Sequence, residues 1–308
     1  MRDLPNLANL DYVGRVNRAI DHVTANLEGP LRLDDVALVA GFSPYHFHRI
    51  FQSLVGETLR DFVNRVRLER AVYLIAHGDP SSLTDVALAC GFSSSSVFSR
   101  SFRTRFGVSP RAFDVEAFRR AGHGRLVDTL PEAGRLARLP PASDPDRFNV
   151  QLRDLPARRV AYLRVFRPYE GTAAVDAHTR LMTWAEERGL AGGQWLGYQW
   201  EDPTIVPLEL CRYDVGVEIP ADANVDDGVS VTTFPPMRVA EVEIAGRIEL
   251  ELEALDWLYT TWLPRSGYAP DHQPGFEAWV GLPFAHGETH FEVRLQLPVV
   301  KSPSSRRP

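Results

Sequence analysis

Residues 36–43 read Val36-Ala37-Leu38-Val39-Ala40-Gly41-Phe42-Ser43, and residues 86–93 repeat them as Val86-Ala87-Leu88-Ala89-Cys90-Gly91-Phe92-Ser93. Each copy is a short apolar helix followed by a glycine, Gly41 able to take positive φ and Gly91 at the second turn, and in the first copy Ser43 can cap a second helix. Pro44 suits the first turn of that second helix in the first copy. The second helices, about Pro44–Leu54 and Ser94–Phe106, each carry an arginine and a phenylalanine two residues on, Arg49 with Phe51 and Arg100 with Phe102. Two helix-turn-helix units in one chain can place two recognition helices in successive major-groove segments of double-stranded DNA.

Working outward, apolar spacing predicts a helix over 9–28 and another over 58–77, the latter broken at Gly78-Asp79-Pro80. A final closing segment runs from Gly107-Val108-Ser109-Pro110. On the recognition helices the outward positions are Tyr45, His46, His48 and Arg49 in the first copy, and Ser95, Ser96, Ser99 and Arg100 in the second. Phe47, Ile50 and Phe51, and Val97, Phe98 and Phe102, are assigned to the inward faces. Arginine can grip guanine through two hydrogen bonds, whereas serines are short and read bases weakly. The first helix is therefore expected to supply more direct readout, and the second more phosphate anchoring.

The charge pattern agrees with a phosphate partner for one half only. Residues 1–125 carry a net +3 and residues 126–308 a net −9. Two cysteines, Cys90 and Cys211, supply neither a disulfide framework nor a zinc site, and no cofactor or metal is expected. The chain has no secretory leader and no apolar run long enough to span a membrane, so a soluble cytoplasmic protein is expected. All six tryptophans lie after residue 180, which suits a pocket for flat or apolar molecules.

Residues 119–148 are rich in Gly, Pro, Arg and Asp and read as a linker with one helical turn. Beyond Asn149 the period changes. Val160–Val165 and Cys211–Pro220 alternate as strands around a helix at 172–189. Arg238–Ile244, a helix at 247–263 and Phe291–Pro298 repeat that order. The fold class is thus an all-α domain over 8–118 followed by an α+β domain of duplicated strand–helix–strand units over 149–300. Residues 301–308 form an expected disordered tail. A cleft between duplicated halves is a natural ligand site.

With Gly41-Phe42-Ser43-Pro44-Tyr45, Arg67-Leu68-Glu69-Arg70-Ala71 and Gly107-Val108-Ser109-Pro110-Arg111-Ala112-Phe113, residues 10–115 resemble the AraC/XylS DNA-binding domain. The resemblance implies a seven-helix reader of promoter DNA that regulates transcription, with RNA polymerase as a further partner. Here that domain comes first, whereas most of the family carry it last. The second half resembles the GyrI-like effector-binding domain through Phe166-Arg167-Pro168-Tyr169-Glu170-Gly171, Cys211-Arg212-Tyr213-Asp214, Ser266-Gly267-Tyr268-Ala269-Pro270 and Pro274-Gly275-Phe276-Glu277-Ala278-Trp279. That resemblance implies binding of small, aromatic and often cationic molecules, as in multidrug sensing.

A carboxylate among aromatic rings is poorly solvated and attracts a cation. Glu277, flanked by Phe276 and Trp279, is the first candidate. Glu292, at the repeat position of Asp214, is the second. Candidate walls are Tyr169, Tyr198, Trp200, Trp257, Tyr268 and Trp279. Two other functions compete for the second domain: hydrolysis of a reactive small molecule with Glu277 as general base, and binding of a protein partner. No phosphate loop or nucleophile–base pair favours an enzyme.

Overall fold

The computed structural model describes residues 7–77, 82–129, 146–225, 228–285 and 290–301. The expected break at Gly78-Asp79-Pro80, the middle of the linker and the tail beyond 301 lie outside these residues. The chain forms two compact units, one up to Phe118 together with the segment around Val225–Ser230, the other from Arg119 to Asn224 and from Val231 onward.

The first unit is helical: α1 (Leu7–Ala25), α2 (Leu33–Val39), α3 (Pro44–Val55), α4 (Leu59–His77), α5 (Leu83–Ala89), α6 (Ser95–Phe106) and the start of α7 (Val115–Thr129). Each recognition helix begins at a serine whose side chain accepts a backbone N–H, Ser43 from His46 and Ser94 from Val97. Each ends at a left-handed glycine, Gly56 and Gly107. Both turns take the same form: Gly41 and Gly91 have φ of 68° and 79°. The amides of Phe42 and Phe92 donate to Ala37 O and Ala87 O. Two arginines tie these turns to their surroundings. Arg15 donates to Ala40 O and Gly41 O and lies over the Phe42 ring, and Arg67 donates to Leu27 O and Gly29 O. Phe47, Phe51, Phe98, Phe102 and Cys90 are buried, as the helical period requires. Val97 corrects that inward assignment: it is 43% exposed, because it lies in the first turn of α6, before the helix reaches the core. α7 runs on to Thr129, well past the single turn read into the linker, because nothing between Val115 and Thr129 breaks a helix as strongly as the prolines from Pro131 on.

The second unit is a sheet with helices on one face. Its elements are β1 (Gln151–Leu155), β2 (Arg158–Phe166), α8 (Ala173–Glu187), β3 (Trp195–Gln199), β4 (Arg212–Glu218), β5 (Ser230–Phe234), β6 (Met237–Gly246), α9 (Ile248–Trp257), a π turn at Leu258–Trp262, α10 (Leu263–Ser266), β7 (Tyr268–Pro270), β8 (Gly275–Trp279) and β9 (Phe291–Lys301). The strand order is β1-β6-β9-β8-β3-β4-β2-β5, with β7 on β9. Read from either end, this order exchanges the two halves, so the duplication is real. Each half begins with a strand that crosses to the other half's edge. The halves meet at the antiparallel pair β3–β8, where Gly197 stands opposite Glu277.

Pleating then sorts the side chains. Tyr198, Phe276, Tyr162, Leu196, Phe234 and Val239 form an apolar cluster on one face. On that same face Arg164 makes a two-pronged bond to fully buried Asp214, at 2.8 and 2.6 Å, and Trp200 Nε1 donates to the same carboxylate. α8 and α9 cover the other face.

Candidate functional site

The face under the helices carries an unusual polar group. Glu277 on β8 accepts a hydrogen bond from the Tyr213 hydroxyl of β4 at 2.5 Å. The two side chains meet above Gly197, whose missing side chain admits them; a Cβ there would run into the Tyr213 hydroxyl and Glu277 Oε2. Glu251, 4% exposed on α9, is hydrogen bonded to Glu277 as well. Two carboxyl groups bond to each other only when one keeps its proton. Burial pushes Glu277 and Glu251 above the usual carboxylate range, Glu251 further, with the Glu277 charge adding to its rise. The Tyr213 hydroxyl is also raised, by burial and by Glu277 beside it. Burial thus favours the protonated form of both groups, Glu251 more strongly, and their mutual hydrogen bond needs a proton held between them.

Aromatic side chains enclose that acidic pair. Tyr169 accepts from Gln199 Nε2, and burial raises its hydroxyl pKa. Tyr169, Gln199, Tyr213 and Glu277 are all half-buried, so this polar group is reachable from solvent. His178 of α8 lies 6.4 Å from the Tyr213 ring, 5.8 Å from the Trp279 ring and 5.0 Å from the Phe284 ring. Burial lowers the His178 pKa from an ordinary 6.5 to about 3, so its ring is neutral. A depressed basic pKa stabilises the fold above pH 6.5, and that stability drains away as pH falls toward 3. We expect His178→Asn to remove this drain. Between pH 8 and about pH 5 the wild type should lose roughly 2 kcal/mol more than the variant, at 1.36 kcal/mol per pH unit. Thermal melts at both pH values check this, and parallel losses would refute it.

The sequence-derived residues separate in space. Glu277, Tyr169 and Trp279 come together on the helix-covered face. Tyr198 and Trp200 point to the opposite face, because alternate residues of a strand do, and pack with Phe234 and Phe276. Trp257 is buried against Phe148, and Tyr268 stacks on Trp262. Glu292 is on the face away from Glu277, 3.5 Å from His290. Glu251, Tyr213, His178 and Phe284 were missed. Tyr213 alone left a signal, since it lies inside a quoted motif.

In the first unit the outward positions are solvent-facing. Tyr45 is 65% exposed and accepts a bond from Arg49 Nη1 at 3.3 Å. His46 and His48 are exposed. Ser96, Ser99 and Arg100 line one groove together with Arg103 and Thr104, and Ser95 is half-buried. Arg103 and Arg105 in the last turn of α6 are additional cations, three and five residues beyond Arg100. Among the described residues no helix is long and apolar enough to cross a membrane, and no His, Cys, Asp or Glu cluster suits a metal.

Residues 18–115 match a helix-turn-helix domain family, and residues 148–300 match the GyrI-like small molecule binding domain family. The chain is 35% identical over 99 residues to the regulatory protein PocR of Salmonella typhimurium, a stretch covering 32% of each chain. It is 37% identical over 83 residues to the probable transcription factor PqrA of Proteus vulgaris, covering 27% of this chain and 67% of PqrA. A solved AraC-type transcriptional regulator from Chromobacterium violaceum is 34% identical, covering 32% of this chain and 86% of that one, with a TM-score of 0.30. The chain spans about a third of the length of the first curated relatives it matches.

Proposed function

Since the chain belongs to the AraC-type helix-turn-helix family and carries a GyrI-like domain behind it, we propose that it regulates transcription by binding promoter DNA through α3 and α6 and a small cationic aromatic effector through its second domain. The observation that carries the effector reading is the buried acidic pair Glu277 and Glu251, bonded to the Tyr213 hydroxyl, with Tyr169 and Trp279 on the same face. A poorly hydrated anion walled by aromatic rings favours a weakly hydrated cation over a strongly hydrated one. All tryptophans lie in the second domain, so fluorescence of the whole chain reports on it alone. Titration with aryl ammonium cations should give saturable quenching, and neutral isosteres should give none. Equal quenching by both would remove the charge from the reading.

On the DNA side, α6 presents more arginine than α3, with Arg100, Arg103 and Arg105 exposed. We expect Arg49→Ala to relax sequence preference at its contacted base, at about 1–3 kcal/mol. Arg100→Ala should weaken operator and unrelated DNA alike and reduce the salt slope by about 1. An operator-substitution scan at two salt concentrations separates the two, and equal loss of preference in both variants would contradict the division of labour.

A second reading of the same pocket is hydrolysis, favoured by the hydrogen-bonded Tyr213–Glu277–Glu251 group, which pairs a donor hydroxyl with a raised carboxyl. Mass spectrometry of the recovered ligand decides between the two: product accumulating with time would make the second domain an enzyme.

A further inference from the structure

Two nitrogen donors or acceptors lie unused beside the acidic group. His178 is 2% exposed and Trp279 4% exposed, and among the described residues neither His178 Nδ1 nor Trp279 Nε1 has a hydrogen-bond partner. Buried polar atoms without partners are uncommon, and each costs free energy in the unliganded state. Both rings are covered by one side chain. The Phe284 ring sits 5.0 Å from His178, 4.9 Å from Trp279 and 6.0 Å from Phe291. Phe284 holds this seat with φ of 58°, a left-handed backbone that a bulky residue adopts at some strain. A phenyl ring satisfies the apolar walls of the seat and leaves both nitrogens unanswered.

We infer that the effector carries a hydrogen-bond acceptor on its ring system in addition to a positive charge, and that its ring takes the seat Phe284 fills, with Trp279 Nε1–H donating to the acceptor and His178 beside it. The inference rests on the effector reading given above and narrows its ligand class. Glu277 and Trp279 are two residues apart on one face of β8, so their backbone positions lie about 7 Å apart and one small ring system can reach both side chains. A carbonyl or ether oxygen on an aryl ring, para to an ammonium-bearing methylene, meets that spacing. A neutral His178 suits an uncharged polar group and does not repel the cation.

The test uses the full chain and two probes in calorimetric titration: (4-benzoylbenzyl)trimethylammonium and (4-benzylbenzyl)trimethylammonium, which exchange a carbonyl for a methylene at constant charge and similar size. The carbonyl probe should bind about tenfold more tightly, the usual consequence of leaving one buried donor unmet. Trp279→Phe should erase that preference, so that the carbonyl probe loses about tenfold more affinity than the methylene probe. Phe284→Ala should tighten both, since the seat is then vacant. The wild-type comparison needs no variant to fold. Equal affinity of the two probes overturns the inference while leaving the cation reading standing. Failure of both probes to bind overturns the cation reading and the inference with it.

Discussion

Replacing Glu277 by Gln is expected to weaken binding of a monovalent aryl cation by roughly 30- to 1000-fold without lowering the melting temperature of the second domain. The affinity range follows from removing the anionic partner of a desolvated ion pair, worth about 2–4 kcal/mol. The unchanged stability follows from the geometry. A glutamine amide can still accept from Tyr213 through its oxygen and donate to Glu251 through its nitrogen, so both bonds survive. What disappears is the need to hold two carboxyl groups together on one proton. In the wild type, affinity should rise with pH as the raised carboxyl pair ionises. In the variant Glu251 faces an amide and the pH dependence should flatten. Fluorescence titrations at several pH values, with melts alongside, read all three effects. An unaltered affinity in the glutamine variant would take Glu277 out of the site.

Gly91→Ala should destabilise the first domain by about 3 kcal/mol and abolish operator binding at ordinary temperatures, whereas Gly107→Ala should cost only about 1 kcal/mol. The two glycines have nearly the same backbone, φ of 79° and 78°, so left-handed strain alone predicts equal losses. They differ in surroundings. A Cβ at Gly107 would meet nothing within 4 Å. A Cβ at Gly91 would run into the Leu27 carbonyl oxygen, with the Arg67 guanidinium 2.9 Å away. That carbonyl is a backbone atom, already held by Arg67 Nε at 3.0 Å, and it cannot step aside as a side-chain tip can. Chemical denaturation followed by helical signal measures the difference, and equal losses at the two glycines would show that packing around Gly91 is loose.

The helical half was legible because helices are built from local information. Ser43, Pro44, Gly56, Ser94 and Gly107 cap and stop α3 and α6 within the segment itself, and the apolar period marks the buried face. Two readings misled: Val97, apolar yet in the first turn, and the linker, through which α7 runs to Thr129. In the second half the longer strands β2, β4, β6 and β9 showed their alternation. The five-residue strands β1, β3, β5 and β8 did not, since so short a run holds too few alternations to distinguish a strand from a loop.

By itself the sequence determined two helix-turn-helix units, a duplicated α+β domain, and Glu277 as an acid among aromatic residues. Tertiary structure alone decided which of its neighbours share its side of the sheet. The register of β3 against β8 turns Tyr198 away and leaves Gly197 opposite Glu277, opening room for Tyr213. Helices α8 and α9 then bring His178 and Glu251 over the same spot from distant parts of the chain. Side-chain facing is a property of strand pairing and helix packing, and those contacts form between segments that carry no mark of each other in the sequence.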